Sequence, residues 1–173
     1  LLFEAIAEKQ STLVSKWMSM GFIHGVMNTD NFSVSGETID YGPCAFMEAY
    51  DPNTVFSSID RHGRYKYSNQ PKIALWNLSC LAGCLLPIIV GNENEKEEMI
   101  QESLGTFSKD INSKINTEMT GKIGLKETKE SNDLVKDLLS IMHKNGADFT
   151  LTFRSLSLAI DNNDDHFLVC FDN

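Results

Sequence analysis

The sequence predicts a mainly α-helical single domain with one small β-hairpin near its start. Three observations carry this. Apolar residues recur every three or four positions over most of the chain. Short β-like pieces bounded by turn residues are confined to residues 22–43. With 173 residues, 42% of them hydrophobic, and only 4 prolines, the chain can bury one good core, and it contains no internal repeat.

The elements follow in order. Phe3, Ile6, Leu13, Val14, Trp17 and Met18 share one helical stripe, so residues 2–20 form an amphipathic helix that ends near Gly21. Residues 22–43 hold three glycines and two β-like pieces, 32–34 and 38–39, around a turn at Ser35 and Gly36. Residues 44–70 are rich in Asp, Asn, Ser and Tyr and read as an ordered loop region. Pro71 suits a first helical turn, and Ala74, Leu75, Leu78, Leu81, Ala82 and Leu85 continue from it as one stripe. Ile100, Leu104, Phe107, Ile111, Ile115 and Met119 define a long helix whose acidic start, residues 93–98, suits the unpaired N–H groups of a helix N-terminus. Asn132 or Asp133 is placed to cap a helix that stops at Gly146, and Asp148 to cap the next, which carries Phe149, Phe153, Leu156 and Ile160. Trp17 and Trp76 fall on apolar stripes and are expected in the core.

Composition removes several function classes. A net charge of −9 argues against a nucleic-acid surface, since phosphate affinity comes from clustered Lys and Arg. A nucleotide stays open, because a metal ion neutralises phosphates locally. No apolar run approaches the roughly 18 residues of a membrane span. The longest, residues 85–90, contains Pro87 and ends at Gly91. The opening Leu1-Leu-Phe-Glu lacks a basic flank and an initiator Met, and reads as a cut inside a longer protein instead of a signal peptide. Cys44, Cys80, Cys84 and Cys170 give no disulfide framework. Cys80 and Cys84 have the spacing of two ligands on one helix face, but no nearby Cys or His completes a zinc site. They read as small core residues, and the compartment as reducing. The acidic run at 161–165 lacks the central Gly and the bidentate Glu of an EF-hand.

The chemistry lies in His24-Gly-Val-Met-Asn-Thr-Asp-Asn31, followed by Asp40-Tyr-Gly42. A helix, a loop opening with His, an Asn seven positions later, a tight hairpin and then Asp-x-Gly is the order found in the C-terminal lobe of protein-kinase-like folds. There the Asn and the Asp hold metal ions that bridge nucleotide phosphates. One position departs from the pattern. Two residues after His24, where a kinase has its catalytic Asp, stands Val26, and Asp30 is the sole acidic residue within the loop. A simple phosphotransferase is thereby weakened. His24 reads as structural. Arg61 and Arg64 could meet phosphates or a protein substrate, or could pair with surface acids.

The run from Gly21 to Asn31, together with Thr38-Ile-Asp-Tyr-Gly-Pro43, strongly resembles the selenoprotein O (YdiU) family. Tyr50-Asp-Pro52, Gly63-Arg-Tyr65, Asn69-Gln-Pro71, Trp76-Asn-Leu78, Lys122-Ile-Gly-Leu125 and Gly146-Ala-Asp-Phe-Thr150 agree, and the likeness runs to about Ser157. Cys44 departs from it, standing where family members carry an aromatic residue. The resemblance implies a kinase-like fold that binds ATP in an inverted orientation and transfers AMP to hydroxyl side chains of proteins. It implies Asp30 as catalytic base, Asn31 and Asp40 as ligands of Mg²⁺ or Mn²⁺, and Asp40 also against the nucleotide phosphates. This makes residues 1–173 a single helical C-lobe with its catalytic loop at 24–31 and its metal motif at 40–42. The Gly-rich loop and strand Lys of an N-terminal lobe are not in this sequence. The expected partners are ATP and protein substrates, with neither nucleic acid nor membrane. The expected location is mitochondrial in a eukaryote and cytoplasmic in a bacterium. The redox Cys or Sec of many members would lie past Asn173, so Cys170 does not stand for it. The alternatives are a kinase-like phosphotransferase and a non-enzymatic nucleotide-binding scaffold.

Overall fold

The computed structural model describes residues 2–159 and 165–171. Helix α1 spans Leu2–Met20, as its stripe predicts. Strand β1, Phe22–Ile23, pairs antiparallel with β2, Ala45–Phe46, in the register Phe22 to Phe46 and Ile23 to Ala45. Helix α2 is Gln70–Leu85, α3 Glu93–Lys122, α4 Lys129–Asn145, α5 Phe149–Ala159 and α6 Asp165–Leu168.

The molecule is thus mainly helical with one small sheet, but the sheet is not where the sequence puts it. The expected hairpin at 32–39 is reduced to one isolated bridge, Phe32 to Thr38, around a turn in which Gly36 donates its N–H to Ser33. Ser33, Ser35 and Glu37 instead bond to one another through their side chains, which competes with ladder formation. The regular pair forms between residues 22–23 and 45–46, beyond the expected limit at 43, because Met47 N–H reaches the Gly21 carbonyl (2.8 Å) and anchors the returning strand at the end of α1.

Helix α1 is the central element. It packs most extensively on α3 and next on α2. Val14, Trp17, Ile73, Leu78, Phe107 and Ile111 share the buried core with Met27, Met142 and Phe149. At the α1–α3 contact Lys114 lies 2.9 Å from Asp110 and donates to Ser11 and Thr12. Burial pushes the Asp110 carboxyl up, but the Ser11 hydroxyl and the Lys114 ammonium outweigh it and hold it below its usual range.

The caps differ from expectation at one end. Helix α4 starts at a capping box made by Thr128 and Ser131, not at Asn132 or Asp133, because the Thr128 hydroxyl takes the Ser131 N–H while Ser131 reaches back to the Thr128 N–H. Asp148 does cap α5, accepting from Leu151 N–H at 2.7 Å. Gly146, with φ 62°, ends α4 as expected. Asn92 and Glu95 form the capping box of acidic-started α3.

Three burial expectations fail. Trp76 is 44% exposed, because its face of α2 carries the Arg64 guanidinium 4.5 Å from the indole instead of a packed helix. Cys84 is exposed and Cys80 half-buried on that helix, so neither is a core residue. The segment Tyr67–Ile88, read through its short flanking turns, is also long and apolar enough by length and composition to cross a membrane, although no single run of the sequence suggests it. Ile160, expected on the stripe of α5, and residues 161–164 of the acidic run lie outside the described residues.

Candidate active site

The loop that follows β1 is built on buried amides. Gln70, at the start of α2 and 0% exposed, accepts the His24 N–H at 3.0 Å through its Oε1 and donates from its Nε2 to the Phe22 carbonyl at 3.0 Å. Asn77, two turns along α2, donates to the Met27 carbonyl at 3.0 Å. Gln10 of α1 donates to the Ser33 carbonyl. An irregular loop leaves its peptide groups unpaired, and three side-chain amides from two helices supply the missing partners. Gln70 and Asn77 lie within Asn69-Gln-Pro71 and Trp76-Asn-Leu78, quoted above for resemblance alone. The signal that finds them is an amide on the buried face of an otherwise apolar helix.

His24 ties the two acid-bearing segments together. Its ring is 1% exposed, packs 5.3 Å from Trp17, and donates from Nε2 to the Ile39 carbonyl at 2.8 Å while Nδ1 faces the Val26 N–H at 3.4 Å. With both ring nitrogens engaged by backbone groups, the ring is a structural bridge. Trp17 adds a second tie by donating to the Thr38 hydroxyl at 3.0 Å. Gly25 completes the close approach. Its φ is +84°, and a Cβ there would stand 2.9 Å from the Pro43 carbonyl oxygen, so a side chain would push the loop off the segment that follows Asp40.

On this frame Asp30 and Asn31 share the short 3₁₀ turn Thr29–Asn31, with Asn31 N–H bonded to the Asn28 carbonyl at 3.0 Å. Asp30 is exposed, and its carboxylate has no hydrogen-bond or ion-pair partner among the described residues. Asn31 donates its Nδ2 to the Val26 carbonyl at 3.2 Å. That bond fixes the amide orientation, leaving Oδ1 as the free face. Asp40 follows directly on the His24-held Ile39. Its φ of +55° makes it the one non-glycine residue with positive φ among the described residues. Such backbone is sparsely populated outside glycine, though Asp and Asn tolerate it best, and it clusters at sites of function. Asp40 too is exposed, and its carboxylate has no hydrogen-bond or ion-pair partner among the described residues.

The Asn31 amide oxygen and the Asp40 carboxylate, each on a turn, are hard oxygen donors of the kind that Mg²⁺ or Mn²⁺ takes. Among the described residues no group of three or more His, Cys, Asp and Glu side chains gathers around a possible ion. Arg61 and Arg64 make no ion pair with an acid among the described residues. Arg64 instead lies over Trp76 and, at 5.6 Å, over Tyr65.

The chain is similar to proteins named as nucleotidyltransferases. It is 52% identical over 166 residues to a protein of Maridesulfovibrio salexigens named protein nucleotidyltransferase YdiU, covering 96% of this chain and 34% of that protein. A protein of the same name from Bradyrhizobium diazoefficiens is 55% identical over 157 residues, covering 90% of this chain and 32% of its own length. The chain spans about a third of the length of these relatives. The model of the family described as protein adenylyltransferase SelO matches residues 1–169, and the chain belongs to that family. The match runs past Ser157, where the recognisable motifs end, into the described C-terminal turns.

Proposed function

We propose that the full-length protein transfers AMP from ATP to hydroxyl side chains of proteins, and that this segment is a kinase-like C-terminal lobe supplying the catalytic loop and the Asp40 turn. The observation that carries the reading is the 3₁₀ turn Thr29–Asn31, where an unpartnered Asp30 carboxylate stands next to an Asn31 amide whose Nδ2 is held by the Val26 carbonyl. The name of the family and the names of the relatives support it.

In this reaction Asp30 accepts the proton of the acceptor hydroxyl as its oxygen attacks the α-phosphorus. A new P–O bond to the protein forms, the bond from the α-phosphorus to the bridging oxygen breaks, and pyrophosphate leaves. Asn31 Oδ1 and the Asp40 carboxylate would hold the divalent cation. When bound, the cation neutralises the charge that develops on the leaving pyrophosphate. Val26 removes the carboxylate at the kinase position, so the base approaches from Asp30, on the far side of the Asn28 turn. His24 takes no proton in this scheme, since its ring holds the loop against Ile39.

The test labels acceptor protein with ATP carrying ³²P at the α or the γ position. The expected result is α-label transfer by the full-length protein, with Asp30→Ala lowering turnover far more than nucleotide affinity, since a base acts on the attacking hydroxyl and not on ground-state binding. Transfer of γ-label would make the protein a phosphotransferase, and no nucleotide binding at all would make it a scaffold.

A further inference from the structure

A second concave surface adjoins the catalytic loop and takes no part in the chemistry above. It encloses about 770 Å³ and is bordered by Val26 and Asn28 on the loop side. Four cationic side chains line it, Arg61, Arg64, Lys66 and Lys72, against a single acid, Asp60. That acid is already engaged, because its two oxygens accept the Arg64 N–H at 2.9 Å and the Tyr65 N–H at 2.8 Å. Lys66 donates to the neutral Asn53 amide at 2.8 Å, and Arg64 is spread over the Trp76 ring. None of the four cations is paired with a carboxylate among the described residues. On a chain with a net charge of −9, such a concentration of unneutralised positive charge is a local exception.

The groove is also mechanically tied to the loop. Tyr65, from its wall, donates its hydroxyl to Asn28 Oδ1, two residues before Asp30. A chain lying in the groove therefore runs towards the base. We infer that this groove docks the acceptor protein through acidic side chains flanking the hydroxyl that receives AMP. The inference rests on the adenylyl-transfer reading for what happens at the hydroxyl, but the groove's preference for acidic chains stands on its charge. Charge complementarity sets the occupant's register and speeds its capture.

The experiment measures binding and transfer separately on the full-length protein. Fluorescently labelled peptides of equal length, each with one central Ser, carry Glu, Gln or Lys flanks, and anisotropy gives their Kd at low and at high salt. The Glu peptide should bind tightest and lose affinity with salt. Arg61→Ala with Lys72→Ala should weaken it about fivefold, as expected for losing two exposed ion pairs. Arg61→Glu with Lys72→Glu should reverse the preference towards the Lys peptide while leaving the KM for ATP and the Tm unchanged. Neither residue belongs to the proposed catalytic or metal set. Equal binding of all three peptides, or a preference that survives charge reversal, overturns the inference. Loss of ATP affinity in the reversed variant would assign the cations to nucleotide phosphates and overturn it as well. Acidic-peptide binding with the expected charge reversal but without AMP transfer to any acceptor would leave the groove standing and defeat the adenylyl-transfer reading.

Discussion

At the scale of single residues, Asp40 combines two demands that substitution can separate. Its carboxylate supplies negative charge, and its backbone holds a left-handed conformation at φ 55°. Asn enters that region about as readily as Asp, so Asp40→Asn keeps the turn and removes only the charge. In the full-length protein it should leave the Tm within about 2 °C of wild type and lower α-label transfer by about 10²-fold or more, the scale of losing one preorganised electrostatic group. Gly relaxes the backbone, so Asp40→Gly should be inactive yet no less stable. Asp40→Ala should be inactive and less stable, since Ala pays a steric penalty of about 1 kcal/mol in that region. Thermal melts beside the transfer assay check all three. Normal transfer by Asp40→Asn would remove Asp40 from the site.

At the scale of elements, the loop's shape is a property of helices α1 and α2, not of the loop's own sequence. Gln70 satisfies two backbone groups of residues 22–24 from the first turn of α2. Gln70→Leu keeps the bulk and removes both bonds, leaving a buried N–H and a buried carbonyl unpaired at about 1–3 kcal/mol each. The full-length variant should melt roughly 5–15 °C lower, and the His24 amide should lose its hydrogen-exchange protection ahead of the core of α3. An unchanged melting temperature would mean that water replaces Gln70 without cost. The same division explains what the sequence made legible. Helices α1, α2, α3 and α5 follow from apolar periodicity and from Gly21, Pro71 and Asp148, because helical bonds and caps are local. The roles of Asp30, Asn31 and Asp40 rest on spacing and on resemblance, and the transfer assays test them. The β1–β2 pair, the Thr128 cap and the exposure of Trp76 were not legible. Each depends on a partner distant in sequence or on a competing local bond: Met47 on Gly21, Ser131 on Thr128, Arg64 on Trp76.

At the scale of the whole molecule, the proposed site is only part of what a nucleotide needs. The proposed base Asp30 and proposed ligands Asn31 and Asp40 stand on a frame rooted in the α1–α2–α3 core, while residues 45–50 are threaded between the end of α1 and the start of α5 by the Met47–Gly21, Tyr50–Ala147 and Phe149–Glu48 backbone bonds. These bonds hold the loop from within the described residues. On the proposed reading, nucleotide binding needs more, because one amide and one carboxylate leave a hard divalent ion most of its waters, and it dissociates readily. The Lys and Gly-rich backbone that cradle phosphates in kinase-like sites are not among these 173 residues. Residues 1–173 expressed alone should accordingly fold, with helical circular dichroism and a cooperative melt, yet bind Mg²⁺-ATP at least about 10²-fold more weakly than the full-length protein and transfer no AMP. Calorimetry with Mg²⁺-ATP and α-label transfer, run side by side on both lengths, measure the difference. Tight binding and robust transfer by residues 1–173 alone would show that the phosphates are held here, and would move the search for the nucleotide's anchors to the Arg61 and Arg64 groove.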